Sequence, residues 1–204
     1  MSDEYLTGYN IIRLSEMLEQ LGEERVKKIL SSFSSPLNED IEYFLHHKAI
    51  EFDIQSISKT HLVFASFKKK PVLVGYFTLA IKYFSISKKN TTSNLRRKLN
   101  RFGKYNTELK AYNLSAPLIA QLGKNYTNGY DELITGGELL GMAVEVIKDI
   151  QLSIGGKIIY IECEDKAKLI DFYEQNGFKQ FSERELDRSD KINGDRLIQM
   201  LKVL

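Results

Sequence analysis

Apolar residues recur at three- and four-residue spacing through the first third of the chain, at Ile11, Leu14 and Leu18 and then at Val26, Ile29, Leu30 and Phe33. That period predicts helices, and Pro36 ends the run because proline cannot continue a helical ladder. Asn38 is a good N-cap for a third helix, whose stripe runs through Ile41, Phe44, Leu45, Ala49 and Phe52. The pattern then turns to strands. His61 to Phe67 and Val72 to Ile86 are rich in β-branched and aromatic residues, and the Lys68-Lys69-Lys70-Pro71 tract between them predicts a hairpin connection. Residues 87–113 are polar, with weak periodicity around Leu95 and Leu99, and read as an insertion carrying one short helix. From Leu114 the order is strand, helix, strand, helix: Leu114 to Leu122, Gly136 to Leu152, Lys157 to Cys163 and Lys166 to Gln175. Such alternation implies parallel pairing through right-handed crossovers. Phe178 to Ser182 and Arg196 to Val203 are expected to close the chain as an antiparallel pair. With no internal repeat, no low-complexity tract and no domain boundary, the pattern implies one α/β (α+β) domain over residues 1–204, with a mixed central sheet flanked by helices and a helical N-terminal part.

Composition supports a packed core and excludes several functional classes. A chain of 204 residues that is 43% hydrophobic and 27% charged is too apolar for disorder. It can bury roughly 70% of its unfolded surface without a disulfide or metal. The start lacks a basic and then apolar leader, and no window approaches the roughly 18 apolar residues of a membrane span, so a cytoplasmic protein is expected. One cysteine, Cys163, cannot form an internal disulfide. His46, His47 and His61 have no cysteine partners at ligand spacing, so no metal is expected.

The net charge of +2 is unevenly spread. Between Lys88 and Lys110 stand Lys88, Lys89, Arg96, Arg97, Lys98, Arg101, Lys104 and Lys110 against one acid, Glu108, a local charge of +7.

One segment carries a chemical signal. From Lys157 to Cys163 five of seven residues are apolar, as in a buried parallel strand. Asp165 is placed to cap the helix that follows, Gly177 suits the left-handed residue that ends it, and Phe178 restarts a strand. This order, with Phe172-Tyr173-Glu174-x-x-Gly177-Phe178 at its centre, resembles the C-terminal signature of the GNAT superfamily of acyl-CoA N-acyltransferases. The preceding order of N-terminal helices, hairpin, central strand and loop into a helix fits the same family, leaving only the basic insertion uncovered.

The resemblance implies a GNAT-like fold and transfer of an acyl group, acetyl above all, from acetyl-CoA or another acyl-CoA to a primary amine. It implies that Tyr173 protonates the departing thiolate. It also implies that the end of the central strand, at Leu122, Gly123 and Lys124, contacts the thioester arm, and that the helix start at Thr135, Gly136 and Gly137 holds the pyrophosphate. Unpaired amides and the positive helix end suit an anion there. The family's Gln/Arg-x-x-Gly-x-Gly/Ala pattern is absent, since Asp131 and Ile134 stand where it needs Gln or Arg and Gly. Thr135 and Glu138 instead have capping-box spacing, which satisfies a helix start without a ligand.

Other residues admit two readings. Glu162 and Glu164 share a strand face opposite that of Cys163, so either is a candidate general base, or a solvated or capping acid. Cys163, among acids, reads as a small buried hydrophobe rather than an acyl carrier. The basic insertion is a solvated surface, a sleeve for CoA phosphates, or a contact for nucleic acid such as an aminoacylated tRNA. Alongside the enzyme stand two alternatives: a GNAT-shaped binding or regulatory module without catalysis, and a nucleic-acid-binding protein that uses the insertion.

Overall fold

The computed structural model describes residues 8–186 and 196–204. It begins with a strand where the apolar spacing predicted helix. β1 (Tyr9–Arg13) pairs antiparallel with β2 (Lys59–Phe67), placing Ile11 opposite Val63 and Ile12 opposite Leu62. Adjacent β-branched residues pack well on a pleated surface, and helix begins only at Leu14, so Ile11 is corrected from helix to strand. Four helices follow: α1 (Leu14–Leu21), α2 (Glu23–Leu30), α3 (Glu39–His47) and α4 (Ala49–Ile54). Asn38 caps α3 as expected, accepting from the Asp40 and Ile41 amides. The single stripe from Ile41 to Phe52 is divided, because Lys48 leaves helical geometry at φ −124°.

β2 turns into β3 (Lys70–Ser87) through Lys68 and Lys69, both at positive φ, a two-residue hairpin turn tighter than the four-residue tract expected. α5 (Ser93–Phe102), capped by Thr92, leads through β4 (Lys104–Asn106) into β5 (Ala111–Lys124). α6 (Gly136–Ile154), β6 (Ile158–Glu164), α7 (Ala167–Gln175), β7 (Lys179–Glu185) and β8 (Arg196–Val203) complete the order. The eight strands form a mixed sheet in the order β1-β2-β3-β5-β6-β8-β7, with β4 pairing β5. β5 and β6 are parallel, as the α6 crossover requires, and β7 and β8 are antiparallel, as expected.

The chain packs as two compact units, Met1–Ala80 with Ala120–Ala143, and Ile81–Ile119 with Val144–Leu204. In the first, Leu14, Val26, Leu30, Phe33, Leu45, Leu62 and Tyr76 form a buried cluster. The Phe33 ring meets Tyr76 edge-on at 5.1 Å, and the Tyr76 hydroxyl donates to the Ile41 carbonyl at 2.6 Å. In the second, Phe84, Ile86, Leu99, Leu114, Tyr160 and Phe181 form another, with Phe84 stacked on Tyr160 at 4.3 Å. Leu99 is fully buried there, so the insertion is not outside the core as its composition implied. Its helix anchors by one apolar edge, and only its opposite face is solvated.

Candidate active site

In the second unit, the β6–α7–β7 segment is held by local signals. The Gly177 amide donates to the Glu174 carbonyl and the Phe178 amide to the Tyr173 carbonyl, with Gly177 at φ +84°. This is the double bond of a Schellman ending, and it fixes Tyr173 one turn before the helix stops. The Tyr173 ring meets Phe172 at 5.0 Å and Phe178 at 5.8 Å, both edge-on. The residue as a whole is half-buried. Burial, reinforced by the nearby Cys163, raises the phenol's pKa well above its ordinary value. Cys163 is itself buried, and desolvation with Asp165 and Glu164 pushes its thiol up to about 11.

Glu162 lies on the opposite strand face and is fully engaged. Its carboxylate accepts from Arg184 Nε and Nη2 at 3.0 and 2.8 Å, from Gln199 Nε2 at 3.3 Å and from the Tyr160 hydroxyl. Desolvation opposes the charge, but Arg184 and Tyr160 outweigh it and hold the carboxyl below its usual range. Glu164 is ion-paired with Lys166. Asp165 does not cap α7: the cap position is Lys166, and Arg196 on β8 draws the Asp165 carboxylate away at 2.7 Å.

The first unit holds the end of β5 and the start of α6. Gly123 is required by close packing, since a Cβ there would stand 2.4 Å from Ile41 Cγ2. Lys124 donates to the Asp131 carbonyl at 2.9 Å. One residue further, Asn125 is fully buried. Its side chain accepts from the Ser34 and Thr127 amides and donates to the Leu73 and Ser32 carbonyls, tying the end of β5 to three other segments. Nothing in its sequence neighbourhood marks it. Ser32, Leu73 and Thr127 also line an adjacent cleft of about 1010 Å³, with Lys28, Lys69 and Lys70 among its other walls.

The capping box expected at α6 is present. Glu138 accepts from the Thr135 amide at 2.8 Å and hydroxyl at 2.7 Å, and Thr135 Oγ1 accepts from the Glu138 amide at 3.1 Å. The Gly136 and Gly137 amides belong to the first turn, which has no intrahelical acceptors. Leu122, Gly123, Lys124, Thr135, Gly136 and Gly137 thus fall in the first unit, and Tyr173, Glu162 and Glu164 in the second.

Neither a family model nor a curated protein matches the sequence. Solved structures do match along nearly the whole chain. AtaT complexed with acetyl-methionyl-tRNAfMet is 16% identical, with 93% of each chain covered and a TM-score of 0.61. A tyrosine-to-phenylalanine mutant of KacT is 16% identical over 94% of each chain, with a TM-score of 0.61. AtaTR bound with AcCoA is 15% identical over 94% of this chain and 92% of that one, with a TM-score of 0.55. The chain has the GNAT-like fold. The architecture implied by the C-terminal signature is thereby borne out. Within the GNAT-like fold, β5 is the central strand, α6 the crossover helix and β6–α7–β7 the signature segment.

Proposed function

We propose that this chain is an acyl-CoA-dependent N-acyltransferase, residues 1–204 acting as one domain, that moves acetyl from acetyl-CoA to the amine of an aminoacylated tRNA. The carrying observation is Tyr173, held one turn before the end of α7 by the Schellman bonds of Gly177 and Phe178 and packed edge-on between Phe172 and Phe178. The likeness to AtaTR bound with AcCoA supports the donor, and that to AtaT complexed with acetyl-methionyl-tRNAfMet supports the acceptor.

In this reading the neutral amine attacks the thioester carbonyl, and amides near Leu122 and Gly123 stabilise the oxyanion. That attack forms the C–N bond, and the C–S bond breaks as the oxyanion collapses and the carbonyl re-forms. Tyr173 gives its proton to the leaving thiolate, and the proton released by the nitrogen returns to the phenolate through solvent, so protons and charge balance. A surrounding that disfavours phenolate equally disfavours a bare thiolate, which keeps the transfer feasible. Glu162 is a weak base because its charged form is already satisfied by Arg184, Tyr160 and Gln199.

The rival reading, a GNAT-shaped binding module, has one observation in its favour: the Glu138 carboxylate already occupies the positive end of α6. A thermal shift with acetyl-CoA separates the two. A ligand at 100 times its dissociation constant adds about 2.7 kcal/mol of stability. Under the enzyme reading the parent and Tyr173→Phe are both stabilised, while the variant loses about 10²- to 10⁴-fold in transfer to aminoacyl-tRNA. No stabilisation of either protein, or turnover of the variant within about threefold of the parent, would remove the reading or the role of Tyr173 respectively.

A further inference from the structure

α5 breaks the local electrostatic rule that α2 follows with Glu23 and Glu24 in its first turn and Lys27 and Lys28 in its last. Its ten residues include Arg96, Arg97, Lys98 and Arg101 and no acid, and its first turn carries no negative charge. By contrast, α2 pairs Lys27 with Glu23 and α6 pairs Lys148 with Glu145. Basic side chains near a helix N-terminus oppose the macrodipole, and Arg97 with Arg101 is a like-charge pair four residues apart, which destabilises a helix. Packing explains why the helix forms nonetheless: Leu99 is fully buried and Leu95 packs on the same core. It does not explain the charges. A departure from local consistency without a compensating fold contact marks a surface kept for something else.

The four cations are not equivalent. Arg96 is folded back, donating to Thr91 Oγ1 and to the Thr91 carbonyl at 2.9 Å and to the Lys88 carbonyl at 3.3 Å, so it braces the start of the helix. Arg97, Lys98 and Arg101 are exposed. At 3.6 residues per turn Arg97 and Arg101 lie about 40° apart on the side away from Leu95 and Leu99, and Lys98 stands about 60° further round, on the flank next to Leu95. Exposed Lys88 and Lys89 precede the helix, and Lys104 follows it. Phe102, 37% exposed, stands beside Arg101. The result is a rigid cationic strip with one accessible ring.

From this we infer that the outer face of α5 docks the phosphodiester backbone of the RNA that presents the acceptor amine. The inference rests on the acyltransferase reading for the choice of RNA, while the strip itself requires only a polyanion. Regularly spaced phosphates relieve the repulsion that the helix carries, and each neutralised phosphate releases counterions.

The test is fluorescence anisotropy of the full chain, without acetyl-CoA, against a labelled RNA hairpin and a DNA hairpin of the same sequence. The parent is expected to bind the RNA with affinity that falls steeply as salt rises. Arg97→Gln/Lys98→Gln/Arg101→Gln keeps helix propensity and should bind at least tenfold more weakly, with a log–log salt slope shallower by about 2 to 3. Its acetyl-CoA thermal shift should be unchanged. If the triple variant loses its melting transition, Arg97→Gln and Arg101→Gln singly carry the test, each expected to weaken RNA binding threefold or more. Unchanged RNA affinity in the variants overturns the inference, and DNA bound tenfold more tightly than RNA overturns the assignment to RNA. RNA binding lost in the variant while acetyl-CoA fails to stabilise the parent would leave this inference standing and sink the enzyme reading. Acetyl transfer to aminoacyl-tRNA that is indifferent to the triple substitution would do the reverse.

Discussion

Asn125 shows how much one unmarked side chain can decide. Its amide satisfies two backbone donors and two backbone acceptors on three segments, in a position with no exposure. Asn125→Ala should lower unfolding free energy by about 3 kcal/mol or more, since several buried polar groups lose partners at about 1 to 3 kcal/mol each. Urea denaturation measures it, and a loss under about 1 kcal/mol would mean that water replaces the amide. Asn125→Asp should be as harmful, because a carboxylate cannot donate to the Leu73 and Ser32 carbonyls. No feature of the sequence announces this residue, since its partners lie 52 to 93 positions away apart from Thr127 and its identity is ordinary.

At the scale of elements, α5 separates anchoring from surface. Leu99→Ala should cost about 2 to 5 kcal/mol through the cavity it leaves in the second unit's core. Removing Arg97, Lys98 and Arg101 should shift melting by no more than a few degrees, because exposed charges away from specific contacts contribute little. Arg96→Ala should fall between these, having three hydrogen bonds to lose. Thermal melting of the three proteins ranks them. The signature segment makes a second case. Gly177 sits at φ +84°, where a Cβ is strained, so Gly177→Ala should destabilise by about 1 kcal/mol and loosen the turn that holds Tyr173. A stability equal to that of the parent would show that the Schellman ending tolerates a side chain. This element was legible from sequence because its signals are local, an apolar run, a glycine and a following aromatic. β1 was not, because Ile11, Leu14 and Leu18 have helical spacing and only pairing with β2 reveals the strand.

For the whole molecule the titrating groups set a pH window. His61 is buried against Phe77, their rings stacked at 4.8 Å, with Arg13, Asp53 and Glu16 as the charged groups that act on it. Burial lowers its pKa, so the unfolded chain takes up a proton first as pH falls, and stability drops below the unfolded histidine's pKa of about 6.5. The lowered pKa of Glu162 acts in the same direction. Its contribution is present above the unfolded carboxyl value and is lost as pH falls through the folded one. On the alkaline side, the raised pKa values of Tyr76, Tyr160 and Tyr173 give stability that is complete below about pH 10 and lost above it. Denaturation at stepped pH should therefore show one fall between pH 7 and 5 and a second below it. His61→Phe should flatten the first, and an undiminished first fall in that variant would assign it to other groups.

The sequence by itself determined what depends on neighbours along the chain: the Asn38 cap, the β2–β3 hairpin, the Thr135–Glu138 capping box and the β6–α7–β7 signature that names the fold. Each is specified by residues within a few positions of one another, where propensity and hydrogen bonding act without the rest of the molecule. Only the tertiary structure decided what depends on distant partners. Pairing with β2 turned Ile11 into a strand residue, Arg196 took Asp165 from its capping role, and Arg184 and Gln199 claimed the Glu162 carboxylate from 22 and 37 positions away. Burial of Leu99 likewise made an apparent insertion part of a core. Such choices turn on which groups desolvation forces together, and a chain read one window at a time does not contain that information.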